Sequence, residues 1–385
     1  MPAKTATPPI RVLELARVLA GPWLCQMLAD MGADVIKVEH PLGDETRYWG
    51  PPFVDVRGEK TAAYFCACNR GKRSITADFN NAADVKAVRQ LALHSDVVVE
   101  NFKVGALKKF GLDAASLRRK KPQLVYCSLT GFGQTGPYSR LPGYDFIVQG
   151  ISGVMDITGE EDGGAQKMGV AFADIFAGVY GASAVLSALH QSRETGKGAH
   201  IDISLLDCMV GVLANQAQNA FAGLHPRRLG NRHPNIAPYQ TINAKDAPMI
   251  IACGNDGQFG RLCAVLDIKA DARFADNAAR LRHRREMTDI IEARTMTKPR
   301  RHWLKLFAAA AVPAAPVNTI NEAFADKQVR HRKMHIKKDG IGALRFPPLF
   351  DGMAKTHPLP PPRKGEHTAE ILAEVAKTKS QKSRR

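Results

Sequence analysis

No stretch of this chain runs for about 18 uninterrupted apolar residues, so an evident membrane-spanning segment is missing. The opening residues 1–9 lack the apolar core of a secretory signal. The expectation is a soluble, cytoplasmic protein with no membrane partner. Cysteine is scarce and unpatterned: Cys25, Cys66, Cys68, Cys127, Cys208, Cys253 and Cys263 are seven, an odd number at irregular spacing. That argues against a disulfide framework and fits a reducing compartment. Acidic residues are in deficit, 37 against 54 Lys and Arg, which gives a formal charge of +17. Such an excess favours an anionic partner without choosing one. Part of it is local, since residues 377–385 carry five positive charges and no negative one, and 280–301 is a second basic stretch. Neither is interleaved with aromatics, so the tail reads as a solvated end and no nucleic-acid partner is expected.

Several catalytic signatures are also missing. After the first apolar run, Ala16-Arg17-Val18-Leu19-Ala20-Gly21 has one glycine where a dinucleotide fingerprint needs three. No Gly-x-Ser-x-Gly elbow exists, which removes the usual serine hydrolase. Gly131-Phe132-Gly133-Gln134-Thr135-Gly136-Pro137 lacks the Gly-Lys-Ser/Thr ending of a nucleotide-binding loop. It suits either close approach to a ligand or a plain turn. His331 and His335 are four apart with no glutamate between them, so no metal site is expected. The one-residue spacing of Cys66 and Cys68 matches neither zinc pairs nor redox dithiols.

What is present is alternation. With 385 residues, two domains are expected. In the first 130 residues short apolar runs alternate with helical patterns, which predicts an α/β fold with a parallel, Rossmann-like sheet. Strands are predicted at 10–15, 35–39, 74–77, 97–100 and 124–128. Helices open at Pro22, whose missing N–H costs nothing in a first turn, and near Ala82. Such sheets bind ligands beyond the carboxyl ends of their strands, here 16–21, 39–43, 78–80 and 101–105. A glycine-rich loop at 158–169 leads into an apolar helix over 170–189, followed by a strand at 199–204 and a helix over 205–221. The predicted division is a large α/β domain in 1–225, a smaller α+β domain in 226–330, and a return of 331–385 to the first, with proline-rich extended chain at 345–362 and a last helix near 368–375.

Asp174 is the charge hardest to explain, because a carboxylate in an apolar helix is costly to bury unless paired or used. It is either a helix-start carboxylate satisfied by backbone N–H groups or a functional group.

Several motifs together resemble the class III CoA-transferases. They are Val12-Leu13-Glu14-Leu15, Ala20-Gly21-Pro22, Gly32-Ala33-Asp34-Val35-Ile36-Lys37-Val38-Glu39, Asn69-Arg70-Gly71-Lys72-Arg73-Ser74, Val99-Glu100-Asn101-Phe102, Ser128-Leu129-Thr130-Gly131-Phe132-Gly133, Thr195-Gly196-Lys197-Gly198 and Gly365-Glu366-His367-Thr368. The resemblance implies a large α/β domain built from both chain ends, a small domain, and an interlocked homodimer. It implies Asp174 as the nucleophile that carries coenzyme A, with acyl-CoA and a carboxylic acid as substrates and no permanently bound cofactor. By position it assigns CoA contacts to Val18, Leu19 and Ala20, to His40, to Asp78 and Asn80, to Asn101, Phe102 and Lys109, and to Tyr144. His40 and Lys109 stand where family members carry arginine, which weakens bidentate phosphate recognition. The stretch Gly230-Asn231-Arg232-His233-Pro234 falls where relatives have a glycine lid, so Arg232 or His233 is expected to meet a second carboxylate of the acceptor. The related α-methylacyl-CoA racemases need two acid–base groups and carry histidine in a Gly-His-Asp motif. This chain has Gly143-Tyr144-Asp145, and tyrosine, with an ordinary pKa of about 10, is a poor base there.

Overall fold

In the computed structural model the described residues run from 9 to 382, so the expectations for the opening stretch and for the charges of the basic tail lie outside them. Six parallel strands form the main sheet: β1 (Arg11–Glu14), β2 (Asp34–Glu39), β3 (Lys72–Thr76), β4 (Val97–Glu100), β5 (Val125–Thr130) and β6 (His200–Ser204). Their spatial order is β3-β2-β1-β4-β5-β6, every neighbouring pair parallel. Both faces of the central strands are covered, which explains why β4 is an unbroken Val97-Val98-Val99 run with no polar alternation. The direction of travel reverses between β1 and β4, and that switch point is where an open parallel sheet leaves a crevice.

Two helices set what lines the crevice. Helix α1 (Ala20–Asp30) follows β1, with Pro22 in its first turn. Helix α3 (Phe172–Thr195) lies against α1; between them in sequence comes the short α2 (Asp145–Ile151). The α1–α3 approach depends on Gly178, where a Cβ would stand 3.1 Å from the Ala20 carbonyl oxygen, and on Gly181, where it would meet Leu24 at 2.5 Å. A side chain at Gly178 would press on the α1 main chain, and one at Gly181 would require Leu24 to move.

Beneath the ends of β1 to β3 lies a buried ionic network. Lys37 Nζ reaches Glu14 at 3.0 Å, Asp44 at 3.0 Å and the Ala16 carbonyl at 3.0 Å. Lys72 pairs with the second Glu14 oxygen at 2.8 Å, and Arg47 grips Glu39 through two bonds of 2.7 Å. The Lys37 ammonium is therefore held well above its usual range despite burial, and the carboxyls of Glu39 and Asp44 below theirs. Three cations face three carboxylates, so the cost of desolvating each is offset by a partner.

The chain folds as two units, one holding residues up to 154, 167–217 and from 327 onward, the other 155–166 and 218–326. The second has its own antiparallel sheet of β7 (Tyr239–Asn243), β8 (Pro248–Ala252) and β9 (Ala314–Pro316), with a core including Ile251, Leu262, Met287, Trp303 and Phe307. Residues 155–166, expected in the larger unit, go with the smaller one. Gly230 N–H donates to the Gly159 carbonyl at 3.0 Å, Arg228 pairs with Asp156 at 3.0 Å, and Arg232 pairs with Glu161. The helix expected over 205–221 is two, Leu205–Gly211 and Ala214–Phe221, because the chain breaks after Gly211 and Ala214 takes a left-handed φ of +46°.

Candidate active site

The loops after β1 and β4 are tied to each other at the switch point. Arg17 N–H donates to Asn101 Oδ1 at 2.9 Å, and Asn101 Nδ2 donates back to the Arg17 carbonyl at 2.7 Å. Phe102 N–H is taken by Glu100 at 2.8 Å. Next to Arg17, Val18 adopts φ of +70°, a left-handed conformation that a β-branched residue enters only when its surroundings force it. The forcing comes from the ionic network: Lys37 fixes the Ala16 carbonyl, and Asp44 lies 3.4 Å from the Val18 N–H.

Asp174 sits in the first turn of α3 and opens onto this crevice. Its neighbour Asp145 takes the structural role. Asp145 Oδ1 accepts the Ala173 N–H at 2.9 Å and Oδ2 accepts from Gln149 at 2.7 Å. Among the described residues no donor reaches the Asp174 carboxylate. The helix-start alternative thus applies to Asp145, which does what a capping carboxylate does. Burial and then the adjacent Asp145 charge push the Asp174 carboxyl up to about 7. Such a group is half ionised near neutrality, and its anion is poorly solvated and reactive.

Backbone packing sets Asp145 in place. A Cβ on Gly143 would lie 2.5 Å from the Gly131 Cα, so the two loops meet main chain to main chain. The glycine loop at 131–137 therefore serves close approach of backbone to backbone, with Thr130 and Gly131 also at the crevice wall.

Two cavities of about 190 and 380 Å³ open at the strand ends and share Arg17 and Phe102. The first brings together Val18, Leu19, Ala20, Asn101, Phe102, Tyr144 and Asp174. The second brings together His40, Asp78, Asn80, Phe102 and Lys109. Arg17, which no motif singles out, borders both; it pairs with Glu45 at 3.1 Å and faces the Phe102 ring at 5.7 Å. Its position directly after β1 was the available signal. Tyr64 lines neither cavity but lies within the electrostatic reach of Asp174. Its phenol is pushed up to about 12, by burial first and then by the Asp174 charge, which keeps it a donor. Nothing local in sequence marks it, since it comes from the short helix Ala63–Cys68.

Arg232 and His233 line neither cavity and belong to the second unit. Arg232 is engaged by Glu161 and donates from Nε to the Leu229 carbonyl at 3.0 Å. His233 lies 5.1 Å from the Tyr239 ring, and its Nδ1 accepts the Asn235 N–H at 3.1 Å. Burial and the nearby Arg284 hold its pKa below the ordinary value, so it is a neutral imidazole.

A family model described as CoA-transferase family III matches residues 9–368. Over 378 residues the chain is 52% identical to a protein named succinate–glutarate CoA-transferase from Agrobacterium fabrum, covering 95% of this chain and 94% of that one. It is 37% identical over 376 residues to succinyl-CoA:glutarate CoA-transferase of Homo sapiens, covering 95% of this chain and 85% of the human one. The crystal structure of a CAIB/BAIF family protein from Brucella suis matches with a TM-score of 0.87 and 55% identity, over 95% of this chain and 98% of that one.

Proposed function

From the premise that this chain belongs to CoA-transferase family III and moves coenzyme A between carboxylic acids, we propose that Asp174 carries the coenzyme, that succinyl-CoA is the donor and that a short dicarboxylic acid such as glutarate is the acceptor. The names of its relatives support that substrate class, since they pair succinate or succinyl-CoA with glutarate or mesaconate.

The chemistry balances as four acyl exchanges. An Asp174 oxygen attacks the thioester carbonyl, the C–S bond breaks, and a mixed anhydride forms with release of CoA thiolate. The thiolate attacks the aspartyl carbonyl and expels the donor acid as carboxylate, leaving an aspartyl-CoA thioester. The acceptor carboxylate attacks that thioester and frees the thiolate again. Finally the thiolate attacks the acceptor's carbonyl in the second anhydride, giving the new acyl-CoA and returning Asp174 as a carboxylate. No proton has to move, so a lone carboxylate suffices and no second acid–base partner is required. Water would hydrolyse each intermediate, so shelter is part of the mechanism.

The observation that carries this reading is Asp174 itself, reached by no donor among the described residues, partly sheltered and raised to about 7 inside a cavity at the switch point. In it the residues of the first cavity hold the pantetheine end of CoA beside Asp174, Arg17 and Lys109 give positive charge to its phosphates, and His40, whose Nδ1 accepts the Leu42 N–H at 3.1 Å, lines the same cavity as Lys109. Arg232 or His233 meets the acceptor's far carboxylate. The enzyme works as a homodimer in the cytoplasm; support for the dimer is the apolar outer face of α2 and α3, where Phe146, Ile147, Ile151, Val179, Tyr180 and Leu186 are exposed.

The test is hydroxylamine trapping after incubation with succinyl-CoA, read by peptide mass spectrometry. A hydroxamate at Asp174, absent from Asp174→Asn, is the expected result. Full exchange activity in folded Asp174→Asn would end the proposal, and solvent deuterium entering the α-carbon would redirect it to racemisation.

A further inference from the structure

Among the described residues eight other than glycine have a positive φ. Val18, at +70°, is the one that is β-branched and the one that lines the cavity holding Asp174. A branched Cβ makes that conformation costly, so it persists only where the surroundings over-determine it. Glycine would adopt it freely.

Four side chains hold the main chain of residues 16–18. Lys37 Nζ donates to the Ala16 carbonyl at 3.0 Å. Asn101 accepts the Arg17 N–H at 2.9 Å and donates to the Arg17 carbonyl at 2.7 Å. The Val18 N–H faces Asp44 Oδ2 at 3.4 Å, and the Cys68 thiol donates to the Val18 carbonyl at 3.5 Å. Asp44 is itself fixed: its Oδ1 accepts the Thr46 N–H at 3.0 Å and the Thr46 hydroxyl at 2.8 Å, and its Oδ2 pairs with Lys37 at 3.0 Å. Lys37, Asp44, Thr46 and Cys68 are all buried.

The bend at Val18 sets where α1 begins. Just beyond it the Leu19 carbonyl accepts the Trp23 N–H at 2.7 Å, and Lys72 Nζ holds the Pro22 carbonyl at 2.9 Å. The Ala20 carbonyl packs on Gly178 of α3, one turn after Asp174. Leu19, Ala20 and Asp174 line one cavity, so a relaxed Val18 would shift the wall beside the carboxylate.

We propose that Asp44, anchored by Lys37, is a positioning residue for CoA transfer: it holds Val18 in the left-handed conformation and thereby places the Leu19–Ala20 main chain beside Asp174. The proposal rests on the reading above that Asp174 carries the coenzyme. It makes a specific demand. The buried carboxylate matters to the rate because residue 18 is valine, and glycine there makes Asp44 dispensable.

The experiment is a double-mutant cycle of Asp44→Asn with Val18→Gly, with kcat measured on the full-length enzyme using succinyl-CoA and glutarate. Asp44→Asn keeps an oxygen for Thr46 and turns an amide N–H toward the Val18 N–H and the Lys37 ammonium, donor against donor. It is expected to lower kcat about tenfold or more. Adding Val18→Gly is expected to return kcat to within about threefold of the Val18→Gly enzyme, whatever that single change costs by itself. Val18→Ala, which keeps a Cβ, should restore less. A loss that glycine leaves in place, so that the two effects multiply, overturns the proposal, as does an Asp44→Asn enzyme with parental kcat. If Asp44→Asn alone does not fold by circular dichroism, the double variant is expected to fold. One that stays unfolded shows that Asp44 serves the fold by another route and also overturns the proposal. Asp174→Asn is assayed alongside. An inactive Asp174→Asn enzyme with no rescue by glycine defeats the positioning role alone; a fully active one defeats the nucleophile on which it rests.

Discussion

On the proposed mechanism, Asp174 and Asp145 divide two jobs that one carboxylate cannot do together. A capping carboxylate is stabilised as an anion and so made unreactive; a nucleophile must be left with unmet demand. Asp145 accepts the Ala173 N–H and the Gln149 amide, and its charge then works against ionisation of Asp174. If the Asp174 anion attacks as proposed, kcat/KM should rise with pH to a plateau above about 7. Asp145→Asn keeps an oxygen for Ala173 but removes the charge, so the rising limb should move to lower pH. Glu100 is also raised to about 7, by burial and with Asp202 as its charged neighbour; a limb that stays in place in Asp145→Asn would assign the titration to it. Stability carries the same signature. A carboxyl raised in the folded state is equally protonated in both states at pH 3, and costs stability progressively as pH climbs from its unfolded value toward 7. Asp174→Asn should therefore melt higher than the parent at pH 8, with the gain fading to nothing near pH 3 in thermal unfolding.

At the level of elements, position is set by glycines where main chain meets main chain. Gly143 has no freedom to accept a methyl group, because the atom it would strike is the Gly131 Cα at 2.5 Å. Gly143→Ala should cost about 1–3 kcal/mol in denaturant unfolding, and should lower kcat at least about tenfold because it displaces Asp145 and with it the start of α3. A variant that loses stability but keeps full kcat would show that the loop contact does not position the site. The glycine loop at 131–137 was visible in sequence, but its reading as turn or ligand loop stayed open because the partner, Gly143, is remote in the chain. The hairpin Phe53–Val56 and Glu59–Ala62 is not legible in the sequence for a different reason. Its turn, Arg57-Gly58, has φ of +50° and +89°, a conformation usually announced by Asn-Gly or Asp-Gly.

Across the whole molecule, α3 has the composition of a membrane helix, and it is the one described helix long and apolar enough to span a bilayer. Its inner face, Ala173, Ala177, Gly178, Gly181 and Val185, is buried. Its outer face leaves Val179, Tyr180 and Leu186 exposed, beside Phe146, Ile147 and Ile151 of α2. A helix apolar all round is a core helix, so a second copy of the chain is the expected cover. Sedimentation equilibrium should give a dimer, and Val179→Asp should weaken it; a parent enzyme that remains monomeric at micromolar concentration would refute the assembly.

Sequence alone determined the parallel α/β fold, all five of the strands expected in its first 130 residues, and the candidacy of Asp174, because burial of both sheet faces and an acid in an apolar helix are local patterns. The charged motifs Glu14, Lys37 and Lys72 were legible as a resemblance, yet their reason, a buried network beneath the crevice, was not. Tertiary structure decided that Asp145 and not Asp174 caps α3, that Arg17 borders both cavities, and that residues 155–166 join the smaller unit. Each of these depends on which distant side chains meet, and pairing across tens or hundreds of residues leaves no period or spacing in the chain to read.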